Sequence, residues 1–174
     1  MDRKEQVMLN ALEVAKYFLD KDPRRVYFNC TLVTKNDRTF YEGNAKINKF
    51  LHLAQTLHIA KFGEPLISDV FYAYANGAVV DEVQQKFNSF LYKPATFGVS
   101  FDDRTNDFLD RVYYMLMGSS VEDLIDLSHE DDEWEDKSRN RMKKDQKMDF
   151  LLRAEGYRER FADGLTIMYK AVLK

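Results

Sequence analysis

The chain has 174 residues, with 26 Lys and Arg against 29 Asp and Glu, for a net charge of −3; the total is too balanced to argue for a nucleic-acid or membrane surface. An apolar fraction of 45% and an aromatic fraction of 14% supply a core and exclude wholesale disorder. A lone cysteine, Cys30, excludes an intramolecular disulfide, and nowhere do 18 apolar residues run together, so the chain reads as one cytoplasmic domain over residues 1–174 without a membrane span or signal peptide.

The pattern predicts a mainly α fold, a single compact set of about seven helices with one short β-hairpin near residues 26–41. Residues 3–20 read as the first helix, with Val7, Met8, Ala11, Leu12, Ala15, Phe18 and Leu19 on one face and Pro23 beyond its end. The stretch RVYFNCTLVTKNDRTFY is β-branched and aromatic, and its polar break at Lys35, Asn36 and Asp37 marks the hairpin turn. A second helix spans 45–62 and stops at Gly63 and Pro65. A short apolar run through Val70, Phe71, Tyr72 and Tyr74 breaks at Asn76 and Gly77. A helix over 79–91 follows, with Val79, Val80, Val83, Phe87, Phe90 and Leu91 inward.

Asp102 or Asp103 caps a helix carrying Phe108, Leu109, Val112, Tyr113 and Leu116, and Gly118 ends it. Ser120 with Asp123 is close to a capping box and opens a helix through Leu124 and Leu127. The pattern then predicts a helix over 145–155 ending at Gly156. A last helix runs from Tyr157 towards Lys174, burying Phe161, Leu165, Met168 and Val172.

Side chains for catalysis are few. Three histidines (His52, His58, His129) accompany the one cysteine. There is no HExxH, no CxxC pair and no P-loop, and no two of the seven glycines lie close enough to cradle a phosphate. No cofactor or metal is called for. His58 falls at the centre of the apolar face of the second helix, beside Ile47, Leu51 and Ala54. It reads as a buried neutral imidazole whose nitrogens are satisfied nearby, against a catalytic role. His52 points about 120° away, so the two cannot chelate one metal from this helix. Asn48 and Gln55 share the polar side, either solvated or part of a partner surface.

Residues 122–136 hold nine carboxylates and no Lys or Arg, and they surround the only tryptophan, Trp134. Residues 137–147 then hold six basic side chains against Asp145 alone. The plain reading is two charged surfaces laced by ion pairs. The alternatives are a phosphate- or nucleic-acid-binding strip over 137–147, and an acidic face that steers a basic partner, with Asp131, Asp132 and Glu135 as its charges. Trp134 packs back onto the domain or helps to present that face. A calcium loop is a weak alternative, because the acids are contiguous rather than alternating and no glycine sits at the turn.

The stretch INKFLHLAQTLHIAKFGEPLISDVFYAYANGAVVDEVQQKF, residues 47–87, resembles the Panacea domain, also called SocA-like antitoxin and known from phage-associated proteins. Its first motif is matched by Lys49, Phe50, Leu51, Ala54, Gln55 and His58. Gly63, Pro65 and Leu66 match a turn, and Ala73, Tyr74, Gly77, Val79 and Val80 a third element. A later element is similar to Leu124, Leu127, Ser128, His129 and Trp134. Ala78 and Glu133 stand where the family usually has proline, departures that touch backbone stiffness more than chemistry. The resemblance implies a mostly helical, non-catalytic, protein-binding domain of a toxin–antitoxin system, often prophage-encoded, that neutralises a cognate toxin by direct contact or delivers a partner to a Clp-type unfoldase and protease. It marks Gln55, His58, Tyr74, Gly77, His129 and Trp134 as motif and partner-binding candidates. A nucleic-acid-associated regulator from a phage or other mobile element is the alternative, and an enzyme pocket around His58, His129 and Gln55 a third reading.

Overall fold

The computed structural model describes residues 7–162. Its element order is α1 (Ala11–Leu19), β1 (Leu32–Lys35), β2 (Arg38–Tyr41), α2 (Glu42–Phe62), β3 (Tyr72–Tyr74), β4 (Gly77–Val79), α3 (Asp81–Lys86), α4 (Asp103–Leu116), α5 (Val121–His129), α6 (Asp132–Ser138) and α7 (Ala154–Ala162). The fold is mainly helical, as its apolar periodicity requires. The described residues contain two antiparallel hairpins, β1–β2 and β3–β4, where the sequence suggests one. Asn36 and Asp37 both take left-handed backbone, with φ of 51° and 62°, which is the two-residue turn that matches strand twist. No helix among the described residues is long and apolar enough to cross a membrane.

Helix α2, 21 residues and about 30 Å long, runs through the centre. Helices α1, α4, α5 and α7 pack around it. It is buried on all sides from Gly43 to Ala60, with Ile47, Phe50, Leu51, Ala54 and Leu57 fully inside. Phe18, Phe28, Phe50 and Tyr113 meet edge to face on one flank, with centroids 5.1–6.1 Å apart. Gly63 closes the helix in left-handed backbone at φ 76°.

Several boundaries differ from the sequence pattern, each because a tertiary partner takes the backbone groups a helix would use. The first helix begins at Ala11, because Leu9 pairs as a strand with residues 66–68. Its N–H donates to the Leu66 carbonyl, and the Ser68 N–H donates back to Leu9. Asn10 caps the helix by accepting from the Leu12 and Glu13 amides. Val7 and Met8 are therefore exposed, and residues 3–6 lie outside the described residues. Helix α3 starts at Asp81, with Val79 in β4, and widens into a π-turn over Phe87–Leu91. There the Asn44 amide donates to the Gln84 carbonyl, the acceptor that an α-helix reserves for the Asn88 N–H. Phe90 is partly exposed there, not inward. Residues 145–155 do not form one helix. The Met148 N–H donates to the Phe71 carbonyl and the Asp149 N–H to Glu133, leaving two 3₁₀ turns, Lys143–Gln146 and Phe150–Arg153. Gly156 lies inside α7 instead of ending a helix. Leu165, Met168 and Val172 lie outside the described residues.

Two aspartates fix the loops after α1. Asp22 accepts from the Val26, Tyr27 and Phe28 amides at 2.8–3.0 Å. Asp20 accepts from those of Phe97, Gly98 and Val99. Buried Arg25, held at φ 56°, donates to the Leu19, Asp22 and Leu91 carbonyls. Asp22→Ala leaves three amides without their acceptor and is expected to cost about 3 kcal/mol. Urea denaturation measures this, and a midpoint within error of wild type would show that water replaces the carboxylate without loss.

Candidate functional site

A helix buried on every side must satisfy its polar side chains internally, and α2 carries many. Asn44, Asn48, His52, Gln55 and His58 are each buried. The expectation that Asn48 and Gln55 are solvated is corrected here: the side of α2 that carries them is covered by other parts of the chain.

Each of these side chains holds a different segment. The Gln55 carbonyl oxygen accepts from the Leu66 and Ile67 amides at 2.9 and 2.8 Å, and its NH2 donates to the Ile67 carbonyl. One amide thus satisfies three backbone groups of the turn after Gly63. His58 Nδ1 meets the Glu64 carbonyl at 2.5 Å, so the imidazole N–H donates there, and the ring packs on Phe62 and Phe108. Burial pushes the His58 pKa below its ordinary value, only partly offset by that carbonyl. Asn48 accepts from the Val80 N–H at the start of α3.

A second cluster lies nearer the start of α2. His52 Nε2 is 2.7 Å from Asp131, which also accepts from the Tyr157 hydroxyl at 2.8 Å and the Glu133 N–H. Three elements, α2, α6 and α7, thus converge on one buried carboxylate. Burial alone pushes the Asp131 carboxyl up; the hydrogen bond and charge of His52, with Tyr157 and the Glu133 N–H, outweigh it and hold the pKa below its ordinary range.

Trp134 packs back onto the domain. Its indole stacks on His129 with centroids 3.9 Å apart and planes 9° from parallel, and its N–H donates to the Tyr74 carbonyl at 2.8 Å. The Tyr74 hydroxyl donates to Asp81. Burial pushes the His129 pKa down, and the positive charge of Lys49 adds to this.

Gly77, at the tip of the β3–β4 hairpin, has φ 124°. A Cβ there would lie 2.6 Å from Lys49 Cε and 2.7 Å from Ser128 Oγ. The absent side chain lets the hairpin close over α2 in a conformation that L-residues rarely adopt.

The acidic run divides in two. Asp131 and Glu133 are buried and Asp132, Glu135 and Asp136 are exposed, so Asp131 is not part of a free acidic face and reversing its charge would break the core. Glu133 accepts from Lys137, Arg153 and the Asp149 N–H; these contacts anchor the backbone where the resemblance leads one to expect proline. Arg139 pairs with Glu135, Arg160 with Glu130 and Lys143 with Asp81. Lys137 and Arg139 thus lace the start of the basic block to the acidic one, while Lys143 is drawn to Asp81, so the basic block does not form one free strip.

Tyr157, Glu133 and Arg153 carry no local sequence signal, since each depends on a partner far along the chain. His58 and Gln55 sit at one end of α2 and His129 near the other, and none of the three lines the cavity over the first half of α2. Among the described residues no group of three or more His, Cys, Asp or Glu side chains could hold a metal.

The sequence model of the antitoxin SocA-like, Panacea domain family matches residues 47–135, half of the chain. No curated protein matches, and no solved structure matches. The matched span contains both clusters on α2 and most of the residues that close over them.

Gly77→Val is expected to lower stability by about 3 kcal/mol through backbone strain and contact with Lys49; an unchanged melting temperature would contradict the close packing at this hairpin. Neutral His58 and His129 are favoured in the folded chain, whereas the unfolded chain protonates them near pH 6.5. Their contribution is therefore complete above about pH 6.5 and is lost as pH falls through the lower folded values. Melting temperature should fall on acidification below about pH 6.5, and His58→Gln should flatten that slope. Equal slopes in the two proteins would exclude His58 as a source.

Proposed function

The chain belongs to the antitoxin SocA-like, Panacea domain family, and from that membership we propose that it is a non-catalytic antitoxin that neutralises a cognate toxin by direct contact. The observation that carries the reading is the use of the family motifs. Gln55, His58, Gly77 and Asp131 are buried in the frame, and His129 and Trp134 stack on each other to clamp the β3–β4 hairpin. A shared frame of this kind leaves the outer surface to vary with the partner.

The partner surface we favour lies between α6 and α7. Exposed Asp132, which forms no ion pair among the described residues, and Leu152, 68% exposed, line a shallow cavity of about 270 Å³ there, and Glu135 and Leu151 are exposed on the same elements. Arg153 and Arg160 also line the cavity but are paired with Glu133 and Glu130, which leaves Asp132 beside an exposed leucine as its unpaired charge among the described residues. That combination suits a basic toxin, since burial supplies affinity and charge speeds encounter.

The test is co-expression with a toxic product of the neighbouring reading frame. Wild type is expected to restore growth. The Asp132→Lys/Leu152→Asp variant should keep its melting temperature and lose protection. Failure of wild type to bind or protect against any such product would overturn the antitoxin reading, whereas full protection by the variant would move the surface elsewhere. A toxin that stays intact but inactive in the complex marks neutralisation by contact; one that disappears only when a Clp-type unfoldase is present marks delivery.

A further inference from the structure

A cavity of about 630 Å³ lies over the first half of α2, between the two hairpins and the segment after α6. Its lining inverts the charge balance of the chain. Arg38, Lys49 and Arg141 face it and, among the described residues, no carboxylate does, although Asp and Glu outnumber Lys and Arg overall.

Four carboxylates on the adjoining elements are paired with other cations. Glu42 pairs with Lys46 at 2.6 Å, Glu122 with Lys35 at 3.2 Å, Asp81 with Lys143 at 2.5 Å and Glu135 with Arg139 at 2.8 Å. Among the described residues none forms an ion pair with Arg38, Lys49 or Arg141. Lys49 is the sharpest case. It is 1% exposed, and its Cε and Nζ lie against Gly77, where a side chain would otherwise sit. A buried charge without a counter-charge is costly, and burial pushes the Lys49 pKa down to about 8. The His52–Asp131 pair shows that the fold can set a carboxylate beside a buried nitrogen donor or acceptor of α2; among the described residues there is none beside Lys49.

The wall is otherwise suited to a small molecule. Phe40 and Tyr74 provide aromatic surface. Most of the amides are occupied by the fold: Asn44 and Asn48 hold α3, and Asn76 bonds to Asn36 and to the Lys35 carbonyl. The three cations, with the Gln84 amide, are left to recognise a ligand. The volume falls within the range of roughly 300–1,000 Å³ typical of small-molecule sites.

We propose that this cavity binds a small phosphorylated molecule of nucleotide size, its phosphates reaching Lys49 at the floor and held by Arg38 and Arg141 at the rim. Guanidinium forks match phosphate oxygens two at a time, and a buried ammonium adds a point charge at the deepest position. A compact dianion can reach a side chain that is almost wholly enclosed. An acidic peptide or a polynucleotide would meet mainly the exposed rim. The site requires no glycine loop, so the absence of one from the sequence does not bear on it, and it stands independently of toxin contact.

The test uses the full chain and a panel of ADP, GDP, CDP and UDP, with adenosine as the uncharged control, read by thermal shift and isothermal titration. At least one diphosphate is expected to raise the melting temperature and to titrate with a dissociation constant below about 1 mM, and adenosine to do neither. Arg38→Ala/Arg141→Ala changes exposed side chains only. It should keep the wild-type melting temperature and weaken that diphosphate roughly ten- to hundredfold. Lys49→Met should hold or raise the melting temperature and abolish the response, the opposite of what a purely structural lysine would show. No binding by any diphosphate at about 1 mM, or equal binding by the double-arginine variant, would overturn the proposal. So would titration by a poly-glutamate peptide or a single-stranded oligonucleotide when no diphosphate binds, which would reassign the surface to a macromolecule.

Discussion

Everything in this fold depends on the burial of α2 on all sides. A helix with one wet face can leave its polar side chains to water, but one at the centre of a helical shell cannot. Asn44, Asn48, His52, Gln55 and His58 therefore need partners, and the chain supplies them from loops and helix starts. The polar groups of α2 thus act as latches. Gln55 and His58 hold the turn that follows their own helix, Asn44 and Asn48 hold α3 and its π-turn, and His52 holds the start of α6 and, through Asp131, α7. Each latch joins segments distant in sequence, so the helix specifies topology as well as filling the core.

The energetics follow from where these bonds lie. An exposed ion pair such as Arg139–Glu135 contributes little, because water competes for both partners. The His52–Asp131–Tyr157 group is different. Its members are shielded from water, so removing one strands the others at a cost well above the net value of a single hydrogen bond. The acidic run over 130–136 therefore contains two populations that composition cannot separate. Asp131 and Glu133 organise the interior, while Asp132, Glu135 and Asp136 face solvent.

The legibility of the sequence tracks how local the determining interactions are. The helix carrying Phe108, Leu109, Val112, Tyr113 and Leu116 is set by its own periodicity and by the Asp102 cap, and both hold. The Asn36–Asp37 turn is likewise local. The helix predicted over 145–155 fails because the Met148 and Asp149 amides find acceptors in Phe71 and Glu133, far along the chain. At the site, His58 was legible because its own helix face buries it. Asn48 and Gln55 were not, because what covers them comes from other parts of the chain. Helical periodicity shows which residues share a face; whether that face meets solvent depends on elements that the pattern does not place.

Lys49 is where the economy of the frame is broken. The other buried polar side chains of α2 named above each have a hydrogen-bonding partner, yet this one is an ammonium lying against a glycine. Interior positions of this kind are readily occupied by apolar side chains, which avoid the desolvation cost. The hairpin shape also accommodates the lysine: Gly77 must lack a side chain, at an unfavourable φ, for Lys49 to lie where it does. A buried cation and a backbone position that only glycine adopts readily thus meet at one contact, and that contact borders the cavity. Natural folds tolerate such local costs mainly where function requires them. Lys49 therefore belongs with the chemistry of the cavity rather than with the latches that hold the frame.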